Sequence, residues 1–242
     1  MRRQGFAYTV VEPAPDPGDF PYGNDDALFA ARHGFGIAYA KEAVDATRER
    51  DPNRRYLAGL SAERREAYGV ALDGDRADPV RVVLPDGAAL HQSGRGCTSD
   101  AQRRLYGDLA AWLRTRTLVE RLALDAGPGV AADPRYRAAL ATWAACMSRR
   151  GYRVTDPQHL RELVPPATHG GPGAAEIRAA TAEAGCASGA RLVTTAGEVE
   201  RSLADRAYIE NREVIEEYQR LSVRALTVAQ LINRQLEGNT GK

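Results

Sequence analysis

The sequence predicts a mainly α fold: a helical domain of about six helices with a long C-terminal helix and one small β-hairpin. Three observations predict it. Near the C-terminus, apolar residues recur at alternating spacings of four and three. Several earlier segments open on a capping residue and close on glycine. One run, Pro79 to about Gln92, breaks that pattern with β-branched residues around Pro85-Asp86-Gly87. The 242 residues fit a single mainly helical domain over 1–242, with a subdivision into an irregular and hairpin part (1–97) and a helical part (98–242) as the alternative.

In chain order, residues 7–23 hold Pro13, Pro15, Pro17, Pro21, Gly18 and Gly23, which predict extended or turning backbone. A short helix starts at Asn24 or Asp25 and runs to about His33, where Gly34 and Gly36 end it. Ser61 caps the next, from Ala62 to about Leu72, with Ala67, Tyr68, Ala71 and Leu72 on one side. Val80, Val82, Val83 and Leu84 before the turn, and Ala88, Ala89 and Leu90 after it, form the hairpin. A helix from Thr98 or Ser99 to about Ala126 carries Leu105, Leu109, Trp112, Leu113 and Val119, and Gly127-Pro128-Gly129 stops it. Asp133 caps the next with Pro134 in first position; it carries Tyr136, Leu140, Trp143 and Met147 and ends at Gly151. The linker Pro165–Gly173 leads to a helix of about Ala174 to Cys186. The last helix runs from between Thr194 and Glu198 to near Glu237, roughly 60 Å, before the tail Gly238-Asn239-Thr240-Gly241. Its seam is Val214, Tyr218, Leu221, Ala225, Val228 and Ile232, widened by Ile215, Leu226 and Leu236. Packing inside its own domain is the simpler use of that seam; a homodimer through the C-terminal helix is the other.

Lys+Arg 33 against Asp+Glu 32 leaves a net charge of +1, without the basic surplus that nucleic acid requires. Lys41 and Lys242 are the only lysines; with the high alanine content this marks a GC-rich genome. No apolar run approaches the ~20 residues of a membrane span, and no apolar core follows Met1-Arg2-Arg3 as a signal peptide would need.

Cys97, Cys146 and Cys186 lack zinc-ligand spacing, and His33, His91, His159 and His169 do not supply it. No metal or cofactor is expected. An internal echo bears on the cysteines. Met147-Ser148-Arg149-Arg150-Gly151-Tyr152 repeats the pattern of Met1-Arg2-Arg3-Gln4-Gly5-Phe6: a Met, three polar residues, a capping glycine and an aromatic. Cys146 immediately precedes the second Met. The echo therefore suggests that Cys146 pairs with Cys186, and that Cys97 is the partner of a cysteine ahead of Met1. Such bonds belong outside the reducing cytoplasm.

Trp143-Ala144-Ala145-Cys146-Met147, Gly151-Tyr152, Asp156-Pro157 and Gly96-Cys97 resemble the signature of uncharacterised actinobacterial extracytoplasmic proteins, often predicted lipoproteins. Asp51-Pro52-Asn53, Leu60-Ser61, Tyr68 and Asp133-Pro134-Arg135 extend the resemblance over most of the chain. Members of that family typically carry a Cys-Met pair at both echo positions, whereas this sequence starts at the first Met. The resemblance implies a cell-envelope setting and little about activity.

Three strings invite functional readings. His169-Gly170-Gly171-Pro172-Gly173 looks like the oxyanion-hole segment of proline iminopeptidases, but no Gly-x-Ser-x-Gly elbow follows and no histidine comes after it, so it reads as a linker. Asp73, Asp75 and Asp78 gather carboxylates without the terminal glutamate of a calcium loop. Tyr22, Phe29, Phe35 and Tyr39 sit in and beside glycine-rich loops, as ligand- or glycan-cleft residues or as anchors of an irregular segment. The expectation is a non-enzymatic cell-envelope binding or interaction protein, accessory to an export or cell-wall system, with a protein or cell-wall component as partner. An enzyme using carboxylates and arginines without a linear motif is one alternative. An inhibitor or immunity-type partner protein is another.

Overall fold

The computed structural model describes residues 1–13, 20–75 and 77–240, with backbone alone at 123–125 and 236–240. Pro15, Pro17 and Gly18 of the proline-rich stretch lie outside the described residues, as does the side chain of Leu236. The described residues include eleven α-helices, a 3-10 turn at Arg2–Gln4 and one two-stranded antiparallel sheet, so the fold is mainly helical and the helices outnumber the six expected. No described helix is long and apolar enough to cross a membrane. The chain divides into two compact units, each assembled from separate stretches of sequence.

The first unit comprises Met1–Thr9, Arg55–Asp125 and Asp205–Lys242. Helix α4 (Ala62–Asp73) begins at Ser61, whose hydroxyl accepts from Arg64 N. It turns Tyr68 and Ala71 inward, against Phe6 and against Tyr56 and Leu57 of the short helix α3 (Pro52–Ala58), while Ala67 faces solvent. Strands β1 (Pro79–Val83) and β2 (Ala89–Ser93) pair as the hairpin, with Val82 opposite Leu90.

The helix expected from 98 to 126 is two helices. Helix α5 (Gly96–Tyr106) stops at Gly107, whose φ of 87° only glycine adopts readily. Asp108 then caps α6 (Leu109–Ala132) through Ala110 N and Ala111 N. Gly127-Pro128-Gly129 does not end α6, which passes through all three residues. A Cβ at Gly129 would lie 2.8 Å from Leu203 Cδ1. Glycine there serves close packing between helices, and the helix carries its proline internally. The final helix is likewise divided, into α10 (Leu192–Glu210) and α11 (Arg212–Thr240). At the break, the Asn211 amide donates to the Ala207 carbonyl. A side chain that bonds its own backbone in this way competes with the helical ladder. The seam of α11 buries Leu221 and Ala225 against α5 and the Tyr106–Trp112–Tyr218 ring stack; α11 runs on to Thr240, into the expected tail.

The second unit comprises Val10–Arg54 and Ala126–Ala204. It holds three helices that the pattern had not marked or had marked only in part. Helix α1 is Ala27–His33, capped by Asp26. Helix α2 (Ile37–Arg50) buries only Ala38 fully, so it carries little apolar periodicity to read. Helix α8 (Pro157–Leu163) follows Asp156, which accepts from His159 N, with proline in first position. Helix α7 (Pro134–Arg149) starts at Asp133 as expected and buries Tyr136, Ala139, Trp143 and Met147. The hub is α9 (Ala174–Ala190), against which α1 and α7 pack. Ala179, Ala180, Ala182, Ala184 and Ala187 are buried along it. Their small side chains let neighbouring helices approach closely, and they leave room for two glutamates on the same helix.

Candidate functional site

Helix α9 carries two carboxylates seven residues apart, one above the other on its buried side: Glu176 at 3% exposure and Glu183 at 0%. A buried carboxylate must find donors or surrender its charge, and the two do so differently. Glu176 Oε1 accepts from Phe35 N at 3.1 Å and Oε2 from Ala167 N at 2.8 Å. It thereby ties the turn after α1 and the segment before α9 to the hub. A Cβ at Gly34 would lie 2.5 Å from Glu176 Oε1, so the glycine lets the backbone close over the carboxylate.

Glu183 has no such pair of bonds. Neither of its oxygens makes a hydrogen bond of good geometry, and the nearest cation, Arg161 Nη2 of α8, stands 3.4 Å from Oε1. Burial pushes the carboxyl up to about 7, opposed by the Arg161 charge and the Asn24 backbone N–H. The backbone at Gly23 (φ 99°) covers the group: a Cβ there would lie 3.2 Å from both Glu183 Oε1 and Pro157 Cγ. The side-chain amide nitrogen of Asn24, a residue only 1% exposed, also has no partner among the described residues. Arg161 is held from two further sides, donating to the Pro157 carbonyl at 2.8 Å and lying over the Phe35 ring at 5.2 Å.

These contacts seat α1 and the aromatic side chains around it. Asn24 Oδ1 accepts from Asp26 N, and Asp26 in turn accepts from Leu28 N and Phe29 N at the start of α1. Phe29 is the centre of a ring group: Phe20 at 5.0 Å, His33 at 4.9 Å and Tyr39 at 6.0 Å between centroids, with His33 and Tyr39 themselves 4.2 Å apart. Phe20, Phe29 and His33 are half-buried and Tyr39 is 40% exposed. The four aromatics singled out in the sequence therefore part company. Phe29 and Tyr39 share this surface group. Phe35 is buried under Arg161, and Tyr22 turns inward, edge-on to Tyr136, with its hydroxyl donating to Glu200 Oε1 at 2.8 Å. Those two are anchors of the irregular segment rather than parts of a common cleft.

Phe20 and His33 join the group without having been marked by the sequence, and Glu176, Glu183, Asn24 and Arg161 were missed altogether. One signal was available. A helix made mostly of alanine and glycine carries two glutamates at a spacing of seven, which places both on one face.

Cys146 and Cys186 are joined by a disulfide with Cα atoms 5.7 Å apart, bracing α7 to α9. Cys97, in the first unit, is a free thiol whose Sγ lies 3.0 Å from the Met1 amino nitrogen. The two echo segments share a backbone. Gln4 N bonds Met1 O, Gly5 N bonds Arg2 O and Phe6 N bonds Met1 O; Arg150 N bonds Met147 O, Gly151 N bonds Ser148 O and Tyr152 N bonds Met147 O. Gly5 and Gly151 both have positive φ.

The aspartates near Gly74 are engaged separately. Asp73 accepts from the Thr98 hydroxyl, Asp75 caps Ala77 N, and Asp78 faces Arg95 at 3.9 Å. His169 is exposed on the segment leading to α9, with positive φ at Gly170 and Gly171. Compared with protein-family models, curated proteins and solved structures, the chain matches none.

Proposed function

We propose that this is a cell-envelope binding protein without catalytic chemistry, accessory to an export or cell-wall system, which holds a cell-wall component or protein partner on the ring group of Phe20, Phe29, His33 and Tyr39. The observation that carries the reading is that group: three half-buried rings and the 40%-exposed Tyr39 gathered at one surface. Clustered rings that remain partly open to water are the composition of a recognition surface, since they supply contact area at little conformational cost. The Cys146–Cys186 bond favours an oxidising compartment, in keeping with the extracytoplasmic resemblance of the Trp143–Met147 region.

A photo-crosslinking amino acid at Tyr39 tests this in intact cells, against the same group at Thr142, an exposed position on α7. Cross-links from position 39 to envelope polymer or to an envelope protein, lost when Phe29→Ala is added, are the expected result. Equal labelling from 39 and 142, or labelling of cytoplasmic proteins alone, overturns the reading.

The alternative of an enzyme using a carboxylate and an arginine has one specific candidate, Glu183 with Arg161. Complete burial of the carboxylate beneath Gly23 leaves a substrate no approach to it, which favours a structural role.

A further inference from the structure

We infer that Glu183 is a proton-operated latch on the segment that seats α1: neutral, it stays covered by Gly23 and Asn24; ionised, it draws in water and loosens that cover. The geometry supplies each part. The carboxylate is fully buried, lacks hydrogen bonds of good geometry, and lies directly under the Gly23 backbone. Its cover leads through Asn24 and Asp26 into the first turn of α1, which carries Phe29 and His33. The unpartnered Asn24 amide sits in the same cover, ready to solvate an opened site.

The groups facing Glu183 are few. Helix α8 contributes the Arg161 guanidinium, the covering segment contributes the Asn24 N–H, and α10 contributes the apolar Leu192 beside Gly23. From the end of α7, Arg150 lies against Gly185, two residues further along α9. On α9 itself, Glu176 is two turns away and committed to Phe35 and Ala167. Arg161 is thus the cation that makes ionisation tolerable in the closed form.

The direction follows from linkage. A carboxyl with a higher affinity for protons when covered than when exposed makes proton uptake favour the covered form. With about 7 for the covered group and about 4.3 for a free glutamate, the open-to-closed ratio rises about tenfold from pH 6 to pH 8.5. That the latch governs a binding surface rests on the proposed function; that the segment opens does not.

Amide hydrogen exchange over residues 20–36, corrected for intrinsic pH dependence, reads the latch without any ligand. Protection in this segment should fall about tenfold between pH 6 and 8.5 in the wild type and stay level in Glu183→Gln, while α7 is unchanged. Arg161→Gln should carry the loss of protection on to higher pH before it levels off, because removing the cation raises the covered carboxyl's affinity for the proton. A carboxyl-carbon NMR titration of the wild type provides a second reading that needs no variant. PH-independent protection in the wild type, the same pH dependence in Glu183→Gln, or a Glu183 carboxyl titrating near 4 overturns the latch. Loss of position-39 cross-links with a working latch would overturn the binding reading alone.

Discussion

Breaking the Cys146–Cys186 bond gives the most direct measure of what holds the second unit together. The bond joins residues 40 apart in sequence. In the chain-entropy account, a closed loop of that length restricts the unfolded chain by about 4 kcal/mol at 25 °C. Cys186 is 1% exposed in the core beside Ala184 and Ala187, so a Cys146→Ala/Cys186→Ala protein also loses packed sulfur, adding about 1 kcal/mol. The unit contains about 120 residues, for which an unfolding entropy near 2.1 cal/mol/K per residue converts 4 kcal/mol into a drop of about 15 °C in Tm. Thermal and urea unfolding of the oxidised, reduced and double-alanine proteins, followed by near-ultraviolet circular dichroism, provide the assay. The reduced form should melt about 15 °C below the oxidised form, and the double-alanine form, which also lacks the packed sulfur, about 4 °C lower still. A difference under about 1 kcal/mol would refute the reasoning, since it would mean that the unfolded chain gains nothing from release of the loop.

Two further outcomes follow from close contacts. Gly34→Ala puts a Cβ 2.5 Å from Glu176 Oε1 and 2.8 Å from Pro172 Cβ, at a positive φ; the clamp on Phe35 N should yield, costing about 2–4 kcal/mol in urea unfolding. A cysteine added ahead of Met1 should form a disulfide with Cys97, whose sulfur lies 3.0 Å from the Met1 nitrogen, because that places the new residue within ordinary disulfide reach. Non-reducing mass spectrometry would show the loss of two hydrogens beyond the Cys146–Cys186 bond; free thiols after oxidation would show that the echo is only a shared turn.

The parts of the fold that were legible are those whose chemistry is local. Ser61, Asp133 and Pro134 announce helix starts because a cap acts within three residues of itself. Pro85-Asp86-Gly87 announces the hairpin because Gly87 takes the positive φ of the turn. The pairing of Cys146 with Cys186 was legible through the echo with Met1–Phe6. The failures share a different cause. Gly127-Pro128-Gly129 reads as a stop, yet Gly129 is needed for the close approach of Leu203, a residue more than seventy positions away. Gly107, buried in what reads as one helix, ends α5 with Arg224 Nε 2.9 Å from where its Cβ would be. In the candidate site, Phe29 and Tyr39 could be picked out by composition, whereas Tyr22 and Phe35 look identical in sequence and point inward. What separates them is the partner each finds: Glu200 for Tyr22, and Glu176 with Arg161 for Phe35.

The two glutamates of α9 show why a helix so rich in alanine needs polar groups at all. Alanine buries little area, so an alanine face offers an irregular segment such as 20–36 little hydrophobic purchase. Carboxylates at 176 and 183 supply directional attachment instead, at opposite electrostatic cost. Glu176 is satisfied by two backbone donors, and Glu176→Gln would turn an amide NH2 toward one of them, costing about 2 kcal/mol. Glu183 is unsatisfied, and its proton affinity is raised in the folded chain, so the native state binds the proton more tightly than the unfolded one. The stability it confers is therefore full at low pH and is lost as pH rises from about 4.5 through about 7. The loss amounts to about 3 kcal/mol by pH 8. Glu183→Gln, neutral at every pH, should flatten that slope and equal or exceed the wild type in stability at pH 8, while Glu176→Gln stays below it. If Glu183→Gln were instead as damaging as Glu176→Gln at pH 8, the charged carboxylate would have to be a stabilising partner of Arg161, and the long 3.4 Å contact between them would be worth more than its desolvation.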